Sequence, residues 1–135
     1  MASHNSANYT KPARSLPNGN LSWGGSVAAA NNTTDQWVSG DTLQLAVIPK
    51  GAQVRDCIYT NTSLSAGASI SVGLAGATTI FANAVDGSVA RTGTSAAYVT
   101  TLAADTALVA TITGGVTITS GTVSAMVSYT MDPAY

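Results

Sequence analysis

The sequence predicts an all-β protein, a β-sandwich or jelly-roll-like domain of about seven or eight strands. The first observation is the composition: threonine, serine, valine and glycine are abundant, whereas glutamate is absent and lysine and arginine together number 5. Threonine and valine are restricted at χ1 and favour strands. The second observation is that apolar residues alternate in short runs. The third is that small-residue turns separate these runs about every 8–12 residues.

The strand-like runs begin at Asp41 and continue to the end of the chain. In the first run, alternation places Leu43, Leu45 and Val47 on one face of a strand, and Pro49 ends the run. The apolar positions of the following runs are Val54, Ile58 and Tyr59; Ile70, Val72 and Leu74; Ile80, Phe81 and Val85, before a turn at Asp86-Gly87; Tyr98, Val99 and Leu102; and Leu108, Ala110 and Ile112. Cys57 lies inside the second run, which indicates a small buried hydrophobe.

The chain closes on a short segment, 116–119, and a final strand, 122–131, entered through a Ser120-Gly121 turn. No residue of the final strand is charged. Its apolar side alternates with serine and threonine through Val123, Ala125, Val127 and Tyr129. An uncharged strand of this kind invites pairing if it lies at a sheet edge, so it favours either a central position or a covered edge.

The segment before residue 41 differs in composition, and we predict that residues 1–40 form an extended N-terminal arm and residues 41–135 the β-sandwich domain. The arm is rich in polar residues and contains too little apolar area to offset the ordering of its own backbone. Its candidate partner-binding anchors are Tyr9, Lys11, Arg14, Leu21, Trp23 and Trp37. Two alternatives stay open: the indoles fold back onto the protein's own β-domain, or the arm docks on a neighbouring subunit.

Charge limits the classes of partner. Charged residues make up 8% of the chain and the formal net charge is −1, against roughly 25% charged residues in average globular proteins. This balance provides no electrostatic footprint for nucleic acid or for an anionic membrane. The sparse charge beside 45% hydrophobic residues predicts a homo-oligomer, with a trimer favoured over a dimer.

The residues that carry catalytic or metal chemistry are scarce. One histidine, one cysteine and no glutamate do not make a standard metal cluster, so we expect no metal and no cofactor. A Ser-His-Asp triad would have to recruit His4 from the arm. Most of the aspartates lie at turns or strand ends, where aspartate serves the backbone. No phosphate-binding loop is present in the sequence, and we expect no catalytic residues and no enzyme activity.

The N-terminal residues and the hydropathy of the chain bear on where the protein is located. The first residues are polar, so no secretory signal is expected, and no apolar run reaches the length of a membrane-spanning helix. The sequence therefore predicts synthesis in a cytoplasm, followed by incorporation into an assembly.

From Asp41 to Tyr129 the sequence resembles the small capsid decoration proteins of tailed bacteriophages, also called cement or head-auxiliary proteins. The stretches that carry the resemblance are LAVIPKGAQVRDCIYTNTS, ASISVGLAG, TALVATITGG and SGTVSAMVSYTM. The resemblance implies a virion structural protein that binds the outer surface of a phage capsid, with the major capsid protein as its partner, and stabilises the shell. The alternative is a receptor- or carbohydrate-binding module of a phage tail spike or fibre, in which the aromatic residues of the arm would stack on sugar.

Overall fold

The computed structural model describes residues 3–6, 21–29, 32, 35–64, 66–94, 101–114 and 117–131. Within these ranges the chain forms nine strands and no helix, which confirms the predicted all-β class. The strands are β1 (Ser3–Asn5), β2 (Leu21–Ala29), β3 (Thr42–Ile48), β4 (Ala52–Asn61), β5 (Ser69–Leu74), β6 (Ala77–Asp86), β7 (Arg91–Thr94), β8 (Thr106–Thr113) and β9 (Gly121–Met131). A helix long and apolar enough to cross a membrane does not occur among the described residues.

The strands form two sheets that pack face to face. The five-stranded sheet has the order β1-β3-β8-β5-β6, and the four-stranded sheet has the order β2-β9-β4-β7. β1 runs parallel to β3, whereas the other pairings within the sheets are antiparallel. This two-layer arrangement with a shared core is the predicted sandwich.

The core lies between the sheets and draws on nearly every strand. Its largest fully buried side chains are Trp37, Tyr129, Leu43, Leu45, Ile48, Ile70, Leu74, Leu108, Ile112, Ile118, Val54 and Val72. The predicted inward row of β9 is confirmed, because Val123, Ala125, Val127 and Tyr129 are all buried. β9 is also a central strand, paired with β2 on one side and β4 on the other.

β-Bulges in β3 and β4 shift the faces predicted from strict alternation. In β3 the register shifts between Gln44 and Ala46, so both Leu45 and Ala46 are buried. The prediction that Val47 shares the face of Leu43 is wrong: Val47 is half-buried, and Ile48 takes the core position. A bulge inserts one extra residue and thereby moves every later side chain to the opposite face.

The second bulge lies in β4, between Val54 and Asp56. It puts Cys57 in the core, as predicted, and turns Ile58 outward, where the side chain is 37% exposed. The sequence grouped Ile58 with Val54 as apolar strand positions, and the structure separates them onto opposite faces.

The segment before residue 41 supplies strands to both sheets where it is described. Ser3–Asn5 extend the five-stranded sheet as β1, and Leu21–Ala29 pair along their whole length with β9. Trp37 is fully buried and forms an isolated bridge with Ile118, with backbone N–O distances of 2.9 and 2.8 Å. Of the two alternatives for the indoles, packing on the protein's own β-domain describes Trp37.

One predicted run falls largely outside the described residues, because Tyr98 and Val99 belong to 95–100. Its last residue, Leu102, is buried and exchanges backbone hydrogen bonds with Gly51 and Ala52 at 2.8 and 2.9 Å. The short strand β7 was not predicted, since a run of arginine, glycine and two threonines lacks apolar alternation.

Candidate interaction surface

A buried cluster of polar side chains lies at the edge formed by β1. His4 Nε2 donates a hydrogen bond to Asp41 Oδ2 at 3.0 Å, and both side chains are buried. The same carboxylate oxygen accepts the backbone N–H of Val38 at 3.0 Å. The ring of Trp37 lies against the imidazole, with 6.2 Å between centroids. This cluster anchors the N-terminal strand to the sandwich.

Beyond the imidazole, the chain continues along β3. The backbone N–H of Ser6 donates to the carbonyl of Gln44 at 2.8 Å, and the Ser6 hydroxyl donates to the carbonyl of Leu45. Leu45 is the residue inserted by the bulge in β3, so its carbonyl is displaced from the regular ladder. The Ser6 hydroxyl therefore satisfies a backbone group that the bulge would otherwise leave buried without a partner.

A cleft of about 350 Å³ separates β1 from β2. Its lining is polar except for two small apolar residues of β2, and comprises Ser3, His4, Asn5, Ser6, Ser26, Val27, Ala28 and Asp35. His4 is committed to Asp41 and Ser6 to β3. The cleft therefore presents short hydroxyl and amide groups and the Asp35 carboxylate, and its described lining holds no nucleophile-base pair.

Outside this cleft, the described residues offer little for metal binding or nucleophilic catalysis. Among the described residues, no group of three or more histidine, cysteine, aspartate or glutamate side chains is placed to hold a metal ion. Cys57 is buried, and this burial, together with the neighbouring Asp56 carboxylate, raises the pKa of its thiol to about 12. A thiol with this pKa stays protonated at neutral pH and is a poor nucleophile.

The side of the four-stranded sheet that faces away from the core is a broad surface rich in serine and threonine, which we call the hydroxyl face. Its side chains alternate along β2, β9 and β4 with the side chains that point into the core, and β7 forms its outer edge. Its members are Gly24, Ser26 and Ala28 of β2; Thr122, Ser124, Met126, Ser128 and Thr130 of β9; Gln53, Asp56, Ile58 and Thr60 of β4; and Thr92 and Thr94 of β7.

The strand register arranges these residues in rows across the sheet. Met126 lies opposite Ile58 on one side and Gly24 on the other, so the central row carries two large apolar side chains beside a glycine. Met126 is 44% exposed and Ile58 is 37% exposed. The next row is entirely hydroxyl-bearing, with Ser26, Ser124, Thr60 and Thr92 side by side.

Charge is almost absent from the hydroxyl face. Its single ionisable member, Asp56, lies toward one end, opposite Ser128, and Arg55 projects from the adjacent bulge. An exposed apolar centre beside a hydroxyl-bearing row matches the anatomy of protein interfaces, whose cores are depleted of charged residues. This surface is the candidate interaction surface of the described chain.

The predicted anchors are only partly placed by the structure. Tyr9, Lys11 and Arg14 lie outside the described residues, and their role stays a prediction. Leu21 and Trp23 are described by their backbone positions in β2, opposite Tyr129 and Val127 of β9. Trp37 is 0% exposed and joins the core of this chain, and its role as a partner-binding anchor stays a prediction.

The structure brings together residues that sequence reasoning missed. His4 is distant in the sequence from Trp37 and Asp41, and it meets them only through the fold. Ile58 and Met126 likewise meet through the β4–β9 pairing. A signal for the latter was present, because Met126 interrupts the serine and threonine row of the closing strand.

Comparison with solved structures finds the same fold in bacteriophage capsids. A chain of the Ralstonia phage GP4 capsid matches with a TM-score of 0.76 at 13% identity, covering 96% of this chain and 97% of its own. A chain of the cyanophage Pam1 capsid asymmetric unit matches with a TM-score of 0.67 at 20% identity, covering 94% and 98%. A chain of the acid-stable capsid of the Helicobacter pylori bacteriophage KHP30 matches with a TM-score of 0.55 at 20% identity, covering 82% and 90%.

The likeness is one of fold rather than of sequence. No protein-family model matches the chain, and no curated protein sequence matches it significantly. The resemblance to phage capsid-associated proteins that the sequence indicated is thus confirmed at the level of the fold: this sandwich is the fold of chains found in three phage capsids.

Proposed function

We propose that this protein is a non-catalytic structural component of a phage virion, which binds the outer surface of the capsid and stabilises it. The observation that carries the proposal is the near-complete structural match with chains of two phage capsids, with at least 94% of this chain and 97% of each matched chain covered. Because the coverage is high in both directions, the match involves a chain of similar length rather than one domain of a much larger protein.

The surface chemistry supports a binding role over a catalytic one. The described chain pairs a buried polar cluster, in which His4 is hydrogen-bonded to Asp41, with a broad sheet face that carries little charge. Hydroxyl groups and exposed methyl groups suit dry or hydrogen-bonded contacts between proteins. The proposed partner is the major capsid protein.

The proposed mechanism is linkage of binding to the intact shell. A subunit that binds the assembled capsid and not its dissociated proteins shifts the equilibrium toward the assembled state. Each contact can be weak, since a homo-oligomer with several attachment points gains affinity through effective concentration. Stabilisation then depends on bridging two or more capsid protein chains at once.

The test uses capsids that lack this protein. We expect them to assemble, to rupture or lose genome at a lower temperature than complete particles, and to regain stability when the purified protein is added back. The add-back should saturate at a fixed ratio of protein to capsid protein, measured by co-sedimentation.

Two results would reject parts of the proposal. Failure of the folded protein to co-sediment with capsids would remove the virion-binding role. Saturable binding without any change in the rupture temperature would keep the binding and remove the stabilising mechanism. A glycan array provides the control for the sugar-binding alternative, which predicts retention on glycans and none on capsids.

A further inference from the structure

We propose that the hydroxyl face is a self-association surface, on which a second copy of this chain packs face to face about a two-fold axis. The proposal rests on the chemistry and size of this face. It does not depend on attachment to a capsid, and it specifies a contact that the likeness of fold alone does not.

The apolar centre is the first observation. Val38, Ile58, Ile80, Val89 and Met126 are the large apolar side chains exposed within the described residues. Of these, Ile58 and Met126 are direct neighbours across a strand pair, with Gly24 next in the row. Gly24 has no side chain, so Ile58 and Met126 make up the apolar centre of this row.

The surround is the second observation, and it selects a second copy as the occupant. In a two-fold contact each patch meets itself, so identical charges near the axis would face each other. Hydroxyl groups avoid this conflict, because each one both donates and accepts a hydrogen bond. Serine and threonine occupy the row beside the apolar centre. Binding of a charged partner would instead require lysine, arginine or carboxylate side chains in that row.

The position of the one charged residue is compatible with this symmetry. Asp56 lies one row from the centre, on the side away from Ser124 and Thr60. The two-fold axis can lie between the two sheets and run along the Ile58–Met126 row. The Asp56 row of one copy then lies opposite the serine and threonine row of the other. The two carboxylates are thereby separated, and each faces hydroxyl donors.

The available area sets the strength of the contact. Four strands about 4.8 Å apart and about nine residues long give a sheet face of roughly 500 Å² once the short β7 is allowed for. Two such faces bury about 1,000 Å², which is at the lower limit for a specific interface. We therefore expect a reversible, concentration-dependent dimer in free solution, strengthened wherever copies are held close together.

The experiment compares two matched isoleucines by sedimentation equilibrium of the free protein. Ile58→Lys places a charge in the apolar row, whereas Ile80→Lys alters an isoleucine of nearly equal exposure, 38% against 37%, on β6 of the other sheet. Wild type and I80K should dimerise alike, and I58K should dimerise about 100-fold more weakly or worse. Met126→Lys should repeat the effect, and circular dichroism melting checks that each variant folds.

Charge complementation makes the test specific for a face that meets itself. I58K and I58D should each be monomeric, and an equimolar mixture should regain a mixed dimer at low salt. The proposal is overturned by a wild-type chain that stays monomeric at several hundred micromolar, by equal weakening in I80K, or by a mixture of folded variants that does not associate. A face that binds capsids while the free chain is monomeric would likewise overturn it in favour of a capsid-docking surface.

Discussion

At the scale of single residues, Cys57 shows how the fold sets chemistry. Burial and the neighbouring Asp56 carboxylate raise the pKa of the thiol from 9.0 to about 12. In the unfolded chain the thiol returns to its ordinary pKa, so the folded state holds the proton more tightly. This contribution to stability is complete below about pH 9 and is lost as the pH rises toward about 12.

We predict that wild type loses more unfolding free energy than Cys57→Ala when the pH is raised from about 8 to about 10.5. Urea titrations of both proteins at both pH values measure the difference. Burial also raises the pKa of Tyr129, so some alkaline sensitivity should remain in the variant, and Tyr129→Phe reports that part. Equal losses in wild type and C57A would show that the thiol does not contribute.

Residue-level predictions from the sequence succeeded where alternation is unbroken. The four inward positions of β9 are buried as predicted, because β9 itself contains no bulge: its register with β2 is unbroken, and the extra residue of the β4–β9 pair lies in β4. The predicted face of Val47 is wrong because the bulge at Leu45 is stabilised by Ser6, a residue far away in the sequence. Pairings of this kind leave no trace in local periodicity.

At the scale of elements, the close approach of β2 to β3 depends on Gly25. A Cβ at this position would meet the carbonyl oxygen of Leu45 and the hydroxyl of Ser6. These are the two groups that join in the hydrogen bond at the β3 bulge. A side chain at position 25 would therefore push apart the strands at the N-terminal edge of both sheets.

We predict that Gly25→Ala destabilises the protein by about 1–3 kcal/mol, as overpacking of a filled site does. Ser26→Ala, on the exposed side of the same strand, should change stability by less than about 0.5 kcal/mol. Chemical denaturation measures both. Hydrogen exchange should also show the Ser6 amide, bonded to Gln44 at 2.8 Å, losing protection in G25A. Unchanged stability in G25A would mean that the edge relaxes without cost.

The same element shows why the sequence placed residues 1–40 apart. In β2, the pair Gly24-Gly25 interrupts the apolar pattern and small residues occupy the outward positions, so the run has the composition of a linker. Its stability as a strand comes from pairing with β9 along nine positions. Tertiary pairing of this kind overrides weak intrinsic strand preference.

At the scale of the whole molecule, the low charge predicts how attachment to a capsid responds to salt. With a net charge of −1 and 8% charged residues, attachment to a capsid should depend little on ionic strength. Raising NaCl from about 0.05 M to about 0.5 M shortens the Debye length several-fold. We expect the fraction of protein co-sedimenting with capsids to change by less than about twofold over this range.

Sulfate should act differently, because excluded salts strengthen the burial of apolar surface. A basic DNA-binding protein run beside the capsids serves as a control for the salt series. Steep release of the protein from capsids at moderate NaCl would indicate an electrostatic attachment. It would direct attention to Lys11, Arg14 and Arg55 in place of the uncharged faces.

The central place of β9 has a consequence for how the molecule is made. Translation produces β2 and β4 well before β9, yet both strands pair with β9 and not with each other. The four-stranded sheet therefore cannot close until the last described strand has left the ribosome. Until then, the apolar side chains of β2 and β4 lack the strand that they pair with, and exposed apolar surface makes nascent chains prone to aggregation. Chaperones that shield strands during synthesis should accordingly raise the yield of folded protein.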